Sequence, residues 1–330
     1  MCGISGILSW SEIPDRKILE KMNNSLTHRG PDAQGIHMEG ALGLAHRRLS
    51  VIDLTKAANQ PLVDVTGQYW ITYNGEIYNY KVIRKELEEI GVHFKTKSDT
   101  EVLLEAYKKW GLECLDRFNG MFAFALWDGP RRRLILARDR LGKKPLFYFT
   151  LPRGGLIFAS ELKALLEDPR VPRKMNMRAL SQYLSFGYVT GEETMLGEVK
   201  KLAPGHYLKV EEKQEIIPKQ YWDLKKCFLN KRKFSSSFEA SQELLQLLQD
   251  AIKLRLVSDV SLGAFLSGGI DSSSIVAGMC HSQPSGTHQT FSMGFREESF
   301  SELEMAKRVA RHLKVIHKDQ IVLPNLVENL

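Results

Sequence analysis

Cysteine is scarce: four stand in 330 residues, at Cys2, Cys114, Cys227 and Cys280, and no two form a C-x-x-C pair. That scarcity argues against a disulfide framework and against a zinc knuckle. No apolar run reaches the roughly 20 residues of a membrane-spanning helix, and the first residues lack the basic stretch and apolar core of a secretory signal. No membrane attachment is expected, and the expected location is cytoplasmic, where thiols stay reduced. An excess of one charge is missing too: 46 Lys and Arg stand against 39 Asp and Glu, a mild formal charge of +7. The basic patches Arg131-Arg132-Arg133 and Lys231-Arg232-Lys233 are short and carry no aromatic repeat, so no nucleic-acid surface is expected, while small anionic substrates are compatible. Internal repeats and low-complexity tracts are also absent.

What is there begins at position 2. Cys2 follows Met1 and precedes Gly3 and the run Ile4-Ser5-Gly6-Ile7-Leu8. Removal of Met1, which a small second side chain permits, leaves one residue carrying both a thiol and a free α-amine. That amine has a reference pKa of roughly 7.7 to 8.0, below the roughly 8.5 of a thiol, so enough of it is unprotonated near neutrality to accept the thiol proton. Taken alone, Cys2 also reads as a small hydrophobe opening a strand.

With 43% hydrophobic and 26% charged residues over this length, two ordinary globular domains are expected. Up to about Leu166 the chain reads as a β-rich α+β domain. Strands are predicted from Gly3 to Trp10, Ala41 to Ala45, Tyr69 to Tyr73, Met121 to Trp127, Leu134 to Arg138, Leu146 to Phe149 and Leu156 to Ala159. Helices are predicted from Arg16 to Leu26, from Tyr80 to Ile90 behind an Asn79 cap, and from Thr100 to Trp110. Between Pro169 and Ser236 the pattern weakens around four prolines, which reads as the end of this domain and a connection. Beyond it, a helix from Phe238 to Leu256 precedes the strand Leu262 to Leu266, the helix Ser272 to Cys280, the strand Thr290 to Met293 and the helix Glu302 to Leu313. Strand alternating with helix predicts a parallel α/β sheet.

Three segments of the first domain offer partners for Cys2. Asn74-Gly75-Glu76 follows the strand Tyr69 to Tyr73, where the Asn74 amide and the Gly75 N–H can point at one developing oxyanion; Asn-Gly is equally a hairpin turn. Arg48, in His46-Arg47-Arg48-Leu49-Ser50-Val51-Ile52, can grip a carboxylate by a forked pair of hydrogen bonds, or be a solvated surface group. Asp99, in Ser98-Asp99-Thr100-Glu101, can take an ammonium, although Ser98 and Glu101 also spell a helix capping box. Together these are a nucleophile, oxyanion donors and holders for both ends of an amino acid.

These segments, with His28-Arg29-Gly30-Pro31-Asp32 and Asn119-Gly120-Met121-Phe122-Ala123-Phe124-Ala125, stand in the order seen in class II glutamine amidotransferases, which the chain resembles. Ala137-Arg138-Asp139-Arg140-Leu141-Gly142-Lys143-Lys144-Pro145-Leu146 and Ala159-Ser160-Glu161-Leu162-Lys163-Ala164-Leu165 look like the asparagine synthetase branch. The resemblance implies an α+β N-terminal-nucleophile hydrolase sandwich (αββα), two antiparallel sheets covered by helices. It makes Cys2 the nucleophile with its own amine as base, Asn74 and Gly75 the oxyanion hole, and Arg48, Leu49, Ser50, Val51, Ile52, Glu76 and Asp99 the glutamine site. A papain-like Cys-His hydrolase is the competing nucleophilic reading, but its cysteine opens a helix and its base is a histidine.

In the second domain Ser267-Gly268-Gly269-Ile270-Asp271-Ser272-Ser273 joins a strand to a helix. Glycines let backbone approach an anion, successive N–H groups make a nest, and the helix N-terminus adds partial positive charge. It lacks the lysine of a Walker A loop. The segment resembles the pyrophosphate loop of the ATP pyrophosphatase group. That likeness implies ATP, as its Mg²⁺ complex, on Leu266, Ser267, Gly268, Gly269, Asp271, Ser272 and Met293, with aspartate activated as β-aspartyl-AMP and amidated by ammonia from glutamine. The expected organisation is a glutaminase domain over 1–212, a connection over 213–235, and the first part of a partial α/β parallel-sheet synthetase domain over 236–330. The second glycine-rich motif of that family is not in this sequence, so the expectation is an incomplete synthetase domain whose sheet leaves an edge and an apolar face uncovered, which favours association, for example as a homodimer, or instability. The alternatives are an amidotransferase acting on another carboxylate, a glutaminase alone, or an inactive remnant.

Overall fold

Alternation along the first strand sets the architecture of the N-terminal unit. In β1 (Gly3–Ser9) Ile4 and Leu8 face one way and Ile7 the other, and all three are fully buried. A strand buried on both faces needs a layer on each side. The computed structural model describes residues 1–283, 288–295 and 301–322, so residues 323–330 of the expected second domain lie outside the described residues. It divides into two units, Met1–Lys231 and Arg232–Leu330.

After β1, the strands of the first unit are β2 (Ala33–Glu39), β3 (Leu42–Arg48), β4 (Leu62–Val63), β5 (Tyr69–Ile77), β6 (Gly120–Asp128), β7 (Arg133–Arg138), β8 (Phe147–Thr150), β9 (Gly155–Ala159), β10 (Lys200–Lys201), β11 (His206–Glu211) and β12 (Lys219–Gln220). Its α-helices are α1 (Arg16–Ser25), α2 (Tyr80–Glu89), α3 (Asp99–Trp110), α4 (Cys114–Arg117), α5 (Leu162–Leu165), α6 (Met177–Phe186) and α7 (Leu224–Leu229). Two six-stranded antiparallel sheets form, ordered β10-β8-β9-β1-β3-β2 and β12-β11-β7-β6-β5-β4. One core lies between them, from Ile4, Leu8, Leu44 and Phe158 on one sheet to Ala123, Ala125, Leu136 and Leu208 on the other. A second core, with Ile7, Ala45 and Ile157 under Leu19, Met22 and Leu165, joins the first sheet to α1 and α5. The outer face of the second sheet is covered by α3, whose Val102, Leu103 and Tyr107 are buried.

Several expectations need correction. The strand expected to stop at Tyr73 continues through Ile77, because β6 pairs with it in unbroken register from Tyr69↔Asp128 to Ile77↔Gly120. Asn74-Gly75 is therefore inside a strand and is not a hairpin turn. Asn79 stands at the N-cap of α2, its carbonyl accepting from Ile83 N (3.2 Å), but its side chain makes no cap bond and instead bridges the Arg117 carbonyl (2.9 Å) and the Asn119 N–H (2.9 Å). Ser98 does cap α3, accepting from Glu101 N at 3.3 Å, but the box is half formed: the Glu101 carboxylate takes the N–H groups of Lys95 (2.9 Å) and Thr96 (2.7 Å). The weakly patterned stretch after Pro169, read as the end of this domain and a connection, carries a strand that the sequence reading does not name. There β11 pairs with β7 over five residues, and Tyr221, placed in the expected connection, donates its hydroxyl to the Arg138 carbonyl at 2.8 Å.

The second unit has α8 (Ser237–Arg255), β13 (Gly263–Phe265), α9 (Ile270–Ser282), β14 (Gln289–Gly294), α10 (Leu303–Leu313) and β15 (Ile316–Ile321). Its described strands form a parallel sheet in the order β13-β14-β15, the expected alternation plus one strand the sequence reading omitted. Leu266, Val276, Ala306 and Ala310 form its core. No described helix is long and apolar enough to cross a membrane.

Candidate active site

Pairing of Gly3 with Arg47 brings the start of β1 beside the end of β3, so Cys2 lies against the loop that follows Arg48. The Leu49 N–H donates to Cys2 Sγ at 3.4 Å, and the thiol lies 3.6 Å from the Leu49 carbonyl. Burial pushes the thiol up from its ordinary range, which the Leu49 N–H and the terminal amine counteract. Burial pushes the α-amine down. In this structure that amine belongs to Met1, which is 58% exposed and so open to removal.

Arg48 is buried, so the surface reading fails. Its Nη1 donates to the Thr55 carbonyl (2.8 Å) and Asn59 Oδ1 (2.7 Å), and its Nη2 to the carbonyls of Ile52 (3.3 Å) and Asp53. A guanidinium has five N–H donors, and these four bonds go to the loop over residues 52–59. Asp32 and Asp53 fix the same loop, accepting from Ser50 N (2.8 Å) and Thr55 N (3.0 Å) respectively. Leu49, Val51 and Ile52 line a cavity of about 140 Å³ with Cys2 and Arg48, whereas Ser50 turns to Asp32.

The opposite wall is β5. Asn74 is 1% exposed, lines the cavity, and its Nδ2 has no hydrogen-bond partner. A buried unpaired amide donor costs about 1–3 kcal/mol, which makes it a candidate for a donor awaiting a ligand. Backbone N–H groups alternate sides along a strand. Tyr73 N reaches Gln60 Oε1 (2.6 Å) and Ile77 N reaches Asp99 Oδ2 (3.0 Å), so the Gly75 N–H between them points to that same flank, where Gln60 and Asp99 line the cavity. Only glycine fits there: a Cβ would stand 2.3 Å from the Met121 carbonyl oxygen.

Asp99 opens α3 at the cavity floor. Its Oδ2 accepts from the Tyr73 hydroxyl at 2.7 Å, and burial raises its pKa against the pull of the Ile77 N–H and that hydroxyl. Glu76 lines the cavity one residue beyond Gly75. Sequence reasoning missed the supports. Gln60 ties Tyr73 N to Thr100 Oγ1, its Nε2 donating at 3.1 Å. His46 Nε2 donates to the Tyr73 carbonyl at 3.0 Å, and burial holds that imidazole neutral with a pKa of about 3. Lys144, 5% exposed, also lines the cavity; it stood in a segment read only for its family likeness. No spacing rule points to Gln60 or His46, because their partners are brought together by the pairing of sheets.

In the second unit the glycine-rich turn sits where expected. Ser272 Oγ accepts from Ser267 N (3.2 Å) and contacts Ser267 Oγ (2.9 Å), closing the turn on itself. Gly268 has φ +86° and a Cβ there would meet the Met305 and Ala306 backbone at 2.7 and 2.8 Å. Gly269 caps α9 with no side-chain acceptor on its first turn, and Asp271 lies in that turn. Leu266 is 1% exposed in the core, while Met293 is 62% exposed at the end of β14, so the two differ sharply in accessibility. A wider cavity of about 670 Å³ lies between α9 and α10, beside Ser273, Arg308 and His312.

Comparison with known proteins bears on the family of the chain. Residues 1–222 match the model of the glutamine amidotransferase domain, and residues 243–329 that of asparagine synthase. Asparagine synthetase [glutamine-hydrolyzing] 1 of Bacillus subtilis is 37% identical over 336 residues, covering 98% of this chain and 50% of that protein. Asparagine synthetase [glutamine-hydrolyzing] 3 of the same organism is 37% identical over 283 residues, covering 84% and 45%. The chain thus spans about half the length of these relatives. A solved structure of the allosteric regulatory enzyme of purine biosynthesis is similar in fold, with a TM-score of 0.50 at 16% identity, over 96% of this chain and 80% of that one. The first unit has the fold of an N-terminal-nucleophile hydrolase sandwich, and the chain belongs to the glutamine amidotransferase domain family, with residues 243–329 after it similar to asparagine synthase.

Proposed function

We propose that this chain hydrolyses glutamine at Cys2 and serves glutamine-dependent asparagine synthesis. The observation that carries the reading is the buried, unpartnered Asn74 Nδ2 in the cavity that holds Cys2. A volume of about 140 Å³ lies below the roughly 300–1,000 Å³ of drug-sized pockets and suits one small polar metabolite. With Met1 removed, the Cys2 amine takes the thiol proton and the thiolate adds to the side-chain carbonyl carbon of glutamine. Asn74 Nδ2 and the Gly75 N–H receive the oxyanion. Collapse expels ammonia, which leaves with the proton held by the amine, and water then cleaves the Cys2 thioester to glutamate.

Asp99, with Glu76 nearby, takes the substrate's α-ammonium. Arg48 faces its α-carboxylate. A forked grip needs two guanidinium donors, so carboxylate binding entails one loop carbonyl giving up its bond to Arg48. In the second unit, the first turn of α9 and the Ser267 to Ser272 turn suit the phosphates of ATP. No group of three or more His, Cys, Asp and Glu among the described residues could hold a metal ion, so Mg²⁺ belongs to the reading as the ion ATP brings. ATP then activates the aspartate β-carboxylate as β-aspartyl-AMP with release of pyrophosphate, and ammonia displaces AMP.

The test is mass spectrometry of protein treated with an electrophilic glutamine analogue. The reading predicts a stoichiometric adduct on a peptide that begins at Cys2, blocked by free glutamine. Labelling of another cysteine, or a labelled peptide that still carries Met1, contradicts it.

A further inference from the structure

Around Cys2 the cavity holds two cationic side chains, of which the reading above uses only Arg48. The other is Lys144, and the protein takes some trouble to place it. Asp139, 1% exposed, accepts the N–H groups of Leu141 (3.1 Å), Lys143 (3.0 Å) and Lys144 (3.0 Å) and gives its own N–H to the Phe122 carbonyl (2.8 Å). Arg138 grips the Lys144 carbonyl (2.7 Å) from the other side, and the carbonyls of Gly142 (2.8 Å) and Leu202 (2.6 Å) with it. The loop from Asp139 to Lys144 is thereby fixed to the second sheet, and the lysine it delivers is 5% exposed in the cavity wall. A lysine is almost never buried so deeply without a charge to answer.

We propose that Lys144 is a positioning residue of this site, its buried ammonium acting across the shared cavity on the Cys2 thiol and on the chain's α-amine. The inference rests on the glutaminase reading. Burying a thiol disfavours its thiolate, and a fixed cation restores it. The same cation disfavours protonation of the amine, which keeps it able to accept a proton. The charges around this pair come from every neighbouring element: Arg29 after α1, Asp32 before β2, Arg48 at the end of β3, Glu76 on β5, Asp99 on α3 and Asp139 in the lysine's own loop. On the Met1 amine present in this structure Lys144 acts in the same direction as Arg29, while Glu76 supports the lysine's own charge against burial.

The experiment compares the full chain with Lys144→Met and Lys144→Arg over pH 5.5 to 9, reading two things. One is the rate at which iodoacetamide alkylates Cys2, followed on the N-terminal peptide; the other is kcat/KM for ammonia release from glutamine. The Lys144→Met variant is expected to shift both profiles toward higher pH and to slow each about threefold to tenfold at pH 6.5, with Lys144→Arg close to wild type. Alkylation needs no turnover, so it reports on Lys144 even if glutamine proves not to be the substrate. Unshifted alkylation in Lys144→Met overturns the proposal, whether the variant is merely less stable or shows a raised KM from a lost substrate contact.

Discussion

At the scale of single residues, the site is built from groups kept in states that folding alone disfavours. Asn74 Nδ2 is buried without a partner, so truncating it relieves the empty protein of an unsatisfied donor while removing support for the oxyanion. For Asn74→Ala we expect kcat for glutamine hydrolysis to fall by roughly 10² to 10³ with little change in KM, and a melting temperature equal to or above that of wild type. A lowered melting temperature with kcat intact would make Asn74 a structural residue. Asp99 poses the opposite case. Burial raises its pKa, so on acidification it takes up its proton at a higher pH than an ordinary carboxylate, at roughly 3.9, and loses its hold on an ammonium sooner. Calorimetric glutamine affinity, measured on Cys2→Ala to prevent turnover, is expected to weaken as pH falls through that raised value. Affinity that stays flat down to pH 4 contradicts the role given to Asp99.

At the scale of elements, loops are held by buried side chains as firmly as strands are by their ladders. Arg48 sits inside the loop over residues 52–59 and supplies four of its hydrogen bonds; Arg48→Lys is expected to speed amide exchange across 49–59 and raise KM, where unchanged exchange would deny that loop its organiser. Asp64 ties β4, β5 and α3 together, accepting from Thr66 Oγ1 (2.7 Å), Gln68 N (3.0 Å), Tyr69 N (3.1 Å) and Lys108 Nζ (3.0 Å). Burial alone would raise its pKa, but those donors bring it to about 2 from 3.8. The depressed value means stability that is fully present above the unfolded pKa and lost as pH falls toward 2. Asp64→Asn is expected to cost on the order of 2 kcal/mol at neutral pH, with the gap to wild type closing between about pH 4 and 2; a gap independent of pH contradicts it.

The same scale explains what the sequence made legible. Strands with buried branched and aromatic residues, such as β1, β6, β7 and β9, stand out by pattern. The paired edge strand β2 is mostly half-buried and alternates weakly, and β11 follows Pro204-Gly205 in a stretch whose local signals spell a loop. Asn74-Gly75 misleads because pairing with β6 overrides turn propensity, and the glycine answers a close backbone approach. Cys2, Asn74, Gly75, Glu76 and Asp99 were readable together through resemblance; the supports Gln60, His46 and Lys144 were not, since each acts across a contact that only the two-sheet packing creates.

At the scale of the whole molecule, each unit carries its own core. Expression of residues 1–231 alone is expected to yield a folded protein whose glutaminase kcat/KM matches the whole chain within about threefold, a difference under 1 kcal/mol. An unfolded or inactive fragment would mean that the first unit depends on the second. The central claim is narrower and concerns the first residue of the mature chain. The measurement that tests it most directly is ammonia release from glutamine by wild type and Cys2→Ala, each with its N-terminus established by intact mass. The account predicts wild type lacking Met1 and active, and Cys2→Ala folded with activity lowered by at least about 10³. Activity undiminished in Cys2→Ala, or active wild type that retains Met1, would contradict it.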